Sequence, residues 1–294
     1  MSPGVSPQVL LHHPEMGQLR YMKKLPCAGF RKISVICGLL LLLGSPRLLV
    51  GSASPTAVSA FNSYSNAVES RLAQQHRSPH AFLAPAASDP ESADTRLQRG
   101  ELIIERLTPS TGADFSGALL HHWRGTAFAP RAKTADFERL LRDFDSYPQY
   151  FSPQVVQAKV LAQGEGRMQA WMRVRQRHVI TVVLDTTYDI TFGQLGAQRG
   201  YSTSQSTRIA EIDSAGTSAE RTLNSHEEHG FLWRLNSYWS YEERDGGVYL
   251  QVEAVSLTRS IPHGLGWAIR PYVESIPRES LEFTLLAGRN ALCN

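Results

Sequence analysis

Between Cys37 and Cys293 the chain has no cysteine, and Cys27 is the one other in its 294 residues. Cys27 and Cys37 lie in or before a short apolar run near the N-terminus, so removal of that run leaves Cys293 alone and no intrachain disulfide can form. Neither early cysteine follows the apolar run as a lipid-attachment cysteine does, which argues against a lipoprotein anchor. A second lack is positive charge beyond the N-terminus. Residues 1–53 hold six of the 30 Lys and Arg but one of the 27 Asp and Glu, so the remainder carries a net charge near −2. Such a surface does not suit a phosphate backbone, and no nucleic-acid partner is expected.

Catalytic motifs are lacking too. There is no Gly-x-Ser-x-Gly elbow and no cysteine in a nucleophile's setting. The glycines between Gly193 and Gly200 do not open a helix, so they make no phosphate cradle. His226-Glu227-Glu228-His229 lacks the His-Glu-x-x-His order and precedes a strand, so it reads as a charged loop. His121 and His122 are neighbours on a strand and point to opposite faces, out of reach of one metal. No metal or other cofactor is implied, and these absences favour a binding protein over an enzyme.

What is present begins with an export signal. Met22-Lys23-Lys24, Arg31 and Lys32 form a basic region, and Ile33 to Gly44 an apolar core too short for a comfortable membrane span. Gly51 and Ala53 suit cleavage after Ala53; Val58 and Ala60 offer a second site after Ala60. The polar stretch from Met1 to Tyr21 suits no signal, which points to Met22, then Met16, as the start of translation. Export without disulfides fits a bacterial periplasm. The alternative is an uncleaved N-terminal membrane anchor.

Residues 54–98 read as a spacer. A helix over 55–76 has only loosely spaced apolar residues, and 78–96 has the Pro, Ser and Thr content of a linker. The folded domain is expected over 99–294. Strands are expected at 101–107 and 118–128, then a helix over 135–145 capped by Thr134, with Phe137, Leu140, Leu141 and Phe144 on one face. Pro148 prevents its continuation. Further strands follow at 155–162, 168–177, 179–192, 201–212, 231–243 and 248–258, the last two joined by Asp245-Gly246, a strong hairpin signal. The C-terminal part reads as a kinked helical segment, 264–275, and a main helix, 277–292, with Pro277 in its first turn.

This order, with Asp143-Phe144-Asp145-Ser146-Tyr147-Pro148 closing the helix, resembles the START-like, or SRPBCC, superfamily. Within it the chain is similar to exported members of the polyketide cyclase/dehydrase and coenzyme Q binding group. Leu232 to Trp239, Gly247-Val248-Tyr249, Ser256 to Arg259 and Ile261-Pro262 carry the likeness, which covers residues 100–292. The resemblance implies an α+β helix-grip fold: a curved, seven-stranded antiparallel sheet wrapped around a long C-terminal helix, with a cavity between. It also implies a hydrophobic small-molecule ligand such as a lipid, quinone, sterol or polyketide, with a minority of members catalysing cyclisation or dehydration. The Ser/Thr-rich strand 201–208 is more polar than a plain lipid sleeve requires.

Phe231, Trp233, Leu235, Trp239 and Tyr241 share one strand parity and are the expected ligand-binding wall, completed by Trp171 and Trp267; the plainer alternative is core contact with the C-terminal helix. Arg234, Asn236 and Tyr238, of opposite parity, are expected to face solvent. Glu253, in a strand of weak alternation, is a candidate inward carboxylate with a raised pKa, and His178 a candidate pocket base. Three functions follow: a carrier of a hydrophobic ligand in transient contact with a membrane, a cyclase or dehydratase using His178 or Glu253 on a polyketide-like substrate, and an interaction module of an envelope assembly. Ligand identity and oligomeric state are not encoded in any of these features.

Overall fold

The computed structural model describes residues 51–78, 81–86, 90–108, 117–177, 180–260 and 266–293. Its first half contains α1 (Pro55–His76), α2 (Pro90–Gln98), β1 (Ile103–Arg106), β2 (Ala118–Pro130), α3 (Thr134–Arg142), α4 (Tyr147–Tyr150) and β3 (Val155–Gly164). Then follow β4 (Arg167–Arg177), β5 (Thr181–Gln194), β6 (Arg199–Asp213), β7 (Arg221–Thr222), β8 (Arg234–Arg244), β9 (Gly247–Arg259) and α5 (Gly266–Cys293). The strands form one open antiparallel sheet in the order β1-β2-β9-β8-β6-β5-β4-β3, with the short β7 paired to β6. With α5 across one face, this is the helix-grip fold. Among the described residues the sheet has nine strands, against the seven implied.

Local chemistry places the elements. Asp245 and Gly246, at φ 56° and 75°, supply the two positive φ angles of the β8–β9 turn. After α3, Tyr147 packs between Phe144 and Phe151, with ring centroids 4.2 and 4.8 Å away. Asp145 accepts the Val160 N–H (2.8 Å), blunting the exposed edge of β3. The N-cap of α3 is Lys133, one residue before Thr134, whose hydroxyl instead donates to Ala197 O at 2.9 Å. The C-terminal helix runs unbroken through Pro271 and Pro277. Each proline lacks one backbone donor without ending the helix.

Strand alternation gives the sheet two faces. On the inner face, Trp239, Tyr241, Val248, Leu250 and Val252 join Phe137 of α3 and Leu281 and Leu285 of α5 in one cluster. Phe137 stands edge-on to Trp239 and Tyr241, at 5.1 and 5.2 Å. Gly125 of β2 lets α5 come close: a Cβ there would lie 3.1 and 3.3 Å from methyls of Leu285 and Leu281.

The outer face is covered as well. Ser54 caps α1 by accepting the Ala57 N–H (3.1 Å), and Pro55 starts the first turn. Ala57, Phe61, Val68 and Leu72 form one stripe, packed on Ala118, Leu120, Trp233, Tyr238, Val255 and Leu257. In α2, Ala93 and Leu97 pack on Ile103, Phe128 and Tyr249. In place of a spacer, residues 54–98 thus supply two helices to the outer face, and the compact unit holding the sheet runs from residue 49. Burying each large apolar side chain of α1 contributes about 1.5–3 kcal/mol, enough to fix a helix that is only weakly amphipathic by itself.

Candidate functional site

The strand registers align the inner-facing side chains into rows across the sheet. One row runs from Ile190 through Ser204, Ser237, Ala254 and Trp123 to Arg106. The next row toward the β4–β5 turn contains Tyr188 and Ser206, then Leu235, Ser256 and His121. Ser206 Oγ joins its two halves by accepting the Leu235 N–H at 2.9 Å. In the opposite direction lies the row Phe192, Ser202, Trp239, Val252 and Gly125, and beyond it Gly200, Tyr241, Leu250 and Ala127.

These rows differ in how they are filled. Trp239, Tyr241, Leu250 and Val252 are buried beneath Phe137, Leu281 and Leu285. In the first two rows, by contrast, Ser204, Ser206, Ser237, Leu235, Ala254 and Trp123 keep intermediate exposure, as do Met172 and Val174 on β4. Their floor is small: no side chain from Ser204 through Ala254 exceeds a serine. The inner face is therefore filled at the Phe137 end and less fully covered at these positions of the first two rows. Trp123 Nε1, in the first of these rows, is a buried donor with no partner among the described residues.

His121 is the inner member of its pair, its Nε2 3.2 Å from Thr258 Oγ1. Burial, helped by the charge of Arg106, pushes its pKa down from 6.5 to about 4, so the folded protein holds it neutral. His122 points outward, as the alternation requires, into a buried group under α1. Its Nε2 lies 2.8 Å from Glu253 Oε2 and its Nδ1 2.9 Å from the Tyr64 hydroxyl, while Arg71 of α1 pairs with the same Glu253 oxygen.

Glu253 therefore faces away from the inner face of the sheet. Burial alone raises its pKa, but the His122 hydrogen bond and the His122 and Arg71 charges outweigh it and hold the carboxyl below its ordinary 4.5. This corrects the expected raised value and inward orientation. The interaction stabilises the fold above pH 4.5 and is lost as the pH falls through the depressed folded value. His121 acts at milder pH: the unfolded chain takes up its proton below about 6.5, the folded chain only near 4. We expect urea denaturation at pH 5 to show about 2 kcal/mol less stability than at pH 7.5 through His121 alone, and His121→Asn to remove that part of the difference. His76, lowered to about 4 mainly by burial and then by Arg71, acts in the same direction.

Of the expected wall, Leu235, Trp239 and Tyr241 face inward. Trp233 packs on the outer face against α1, and Phe231 is 40% exposed beside the ring of His229. The parity fails because β8 begins only at Arg234. Ahead of it, the buried Glu211 carboxylate accepts the N–H groups of His229, Gly230 and Phe231 at 2.9, 2.9 and 3.1 Å, folding that segment into a turn. Trp171 alternates with the inward Ala170 and Met172 and so lies on the other face. Asn236 and Tyr238, expected in solvent, are buried on the outer face; Tyr238 donates to Glu69 of α1 at 3.0 Å. His178, Gly264, Leu265 and the side chain of Trp267 lie outside the described residues.

Two other clefts are less suited to a ligand. One, of about 180 Å³ on the outer face, is bordered by Leu83, Leu97, Ile103 and Tyr249, and Gln251 within it is tied to Ala84 N–H and C=O, both at 2.9 Å. The other, of about 260 Å³, lies between α3 and the end of α5. Both fall below the roughly 300–1,000 Å³ of typical ligand sites.

No family model matches the chain, and no curated protein does. Among solved structures it is similar to the STAR-related lipid transfer protein of Xanthomonas axonopodis, at 17% identity and a TM-score of 0.40, over 65% of this chain and 99% of that one. It is also similar to a START superfamily protein of Mycobacterium smegmatis, at 16% identity and 0.38, over 58% and 96%. A Streptomyces aromatase/cyclase, Zhui, matches at 14% identity and 0.37, over 59% and 92%. The strand order of this chain, with α5 across the inner face, decides the fold. The fold is a helix-grip.

Proposed function

We propose that this protein binds an apolar small molecule, lipid-like or quinone-like, in the groove between the inner face of the sheet and α5, without covalent chemistry. The observation that carries the reading is the uneven filling of the inner face: packed solid around Trp239 and Tyr241, but left with small, half-exposed side chains from Ser204 to Ala254. At about 25 cal/mol per Å² of apolar surface, a few hundred Å² of buried ligand gives useful affinity after the cost of association. A cyclase or dehydratase is the weaker reading, because Glu253 lies across the sheet from the groove.

We also infer export to a periplasm with cleavage after Ala53. That cut leaves Ser54 in place as the cap of α1, whereas a cut after Ala60 removes the fully buried Ala57. Native mass spectrometry of protein produced with its own N-terminus, followed by solvent extraction, tests both inferences. A stoichiometric apolar molecule and a mature N-terminus at Ser54 are expected. Protein that arrives empty and binds no apolar probe would turn the assignment toward an envelope interaction module, and an intact N-terminus toward a membrane anchor.

A further inference from the structure

α1 is attached to the outer face by polar side chains as well as by its apolar stripe. Glu69 accepts the Tyr238 hydroxyl at 3.0 Å and Gln205 Nε2 at 2.6 Å, Arg71 pairs with Glu253, and the Tyr64 hydroxyl lies 2.9 Å from His122 Nδ1. His76, the last residue of the helix, sets its ring against those of Phe82 and Tyr201, with centroids 5.0 and 4.8 Å away. Its Nε2 is 2.8 Å from Ser240 Oγ. We propose that α1 is a strap that lifts from the outer face without unfolding the sheet, in step with uptake of a proton at His76.

The surroundings of His76 suit a neutral ring and resist a charged one. Arg71 stands on the same helix, and Arg199 of β6, paired with Glu242, lies over the Phe82 ring at 5.4 Å. Glu253 of β9 is the opposing charge, but it already holds Arg71 and His122. Burial and then the Arg71 charge, against a smaller pull from Glu253, lower the pKa from 6.5 to about 4. Lifting α1 returns the ring to water and to its ordinary value. The lifted state therefore takes up a proton below pH 6.5, the closed state only near 4, and lifting becomes easier across that window as pH falls.

Two further features make α1 the part that moves. The sheet's ladders do not pass through it, so they stay closed when it lifts. Trp233 Nε1 and Glu253 Oε1, both buried in this interface, have no partner among the described residues, and each regains water on opening. Opening uncovers Leu120, Trp233, Val255 and Leu257, an apolar strip displayed in acid.

The test is native-state hydrogen exchange of the full chain at pH 7.5 and 5, read as protection factors so that the intrinsic pH dependence of exchange cancels. Amides of α1 are expected to be less protected than those of β2 and β9 at both values, and to lose about thirtyfold of their protection between them. His76→Gln, which keeps a polar partner for Ser240, removes that loss. His121→Asn leaves it in place, because His121 lies on the inner face and stays covered when α1 lifts. Equal protection of α1 and the central strands, or a thirtyfold loss that survives His76→Gln, overturns the strap. So does a loss in α1 that disappears with His121→Asn, since α1 would then open only with the whole fold. Should His76→Gln fail to fold, His76→Phe keeps the ring contacts and gives the same reading. Ligand binding on the inner face plays no part in the measurement, so the two proposals stand or fall separately.

Discussion

Replacing Ala254 by tryptophan is expected to weaken binding of an apolar probe more than about tenfold, a change of over 1.4 kcal/mol, while the protein stays folded. Ala254 sits in the middle of the polar row, between Ser237 and Trp123, and is only partly buried although it points toward the helix. An indole at that position has the groove to occupy, whereas one on Val252, a row away, has nowhere to go: Val252 is 2% exposed beneath the Leu281 and Leu285 cluster. Overpacking of a filled core costs about 1–3 kcal/mol, and a half-empty site sits at or below the lower end of that range. Isothermal titration with the probe and a thermal melt of the same preparation separate the two effects. Affinity within threefold of the unaltered protein would show that the ligand does not lie on this floor.

The sequence made some of this legible and hid the rest for identifiable reasons. Asp245-Gly246 set the β8–β9 hairpin, and with it the register that lines up Ser237 with Ala254. Leu235, Trp239 and Tyr241 were recognisable as one face because β8 is regular over them. Trp233 and Phe231 broke the pattern because a distant carboxylate, Glu211, collects the amides just ahead of the strand. No local signal marks that capture. In β9 the alternation is faint, since Tyr249, Val255 and Leu257 are as buried as Val248, Leu250 and Val252. That faintness was itself informative: a strand apolar on both parities is covered on both sides, so something besides α5 had to lie on the outer face. The buried Glu253 carries the same message, being a carboxylate that waits for Arg71 of α1 rather than for a substrate. The polar rows were invisible in any one strand. They exist only once four registers are combined, joining a serine of β6 to an arginine of β1.

Phe61→Ala tests that second layer, and its expected effect on stability is the largest of any single change discussed. Phe61 is 1% exposed and packs among Ala118, Leu120, Trp233, Val255 and Leu257. Truncating a buried phenylalanine costs about 3–5 kcal/mol, a large share of the 5–15 kcal/mol that holds an ordinary domain together. If residues 54–98 were a spacer, the same substitution would stay within about 0.5 kcal/mol, as surface changes do. Urea denaturation distinguishes these outcomes. The variant is also expected to keep its affinity for an apolar probe at temperatures where it remains folded. Phe61 packs from α1 on the outer face of the sheet and the Ser204–Ala254 floor lies on the inner one, so on the proposed reading the outer layer supplies stability and the inner one recognition. Loss of binding by a folded Phe61→Ala protein would instead mean that α1 sets the curvature of the sheet and, through it, the depth of the groove.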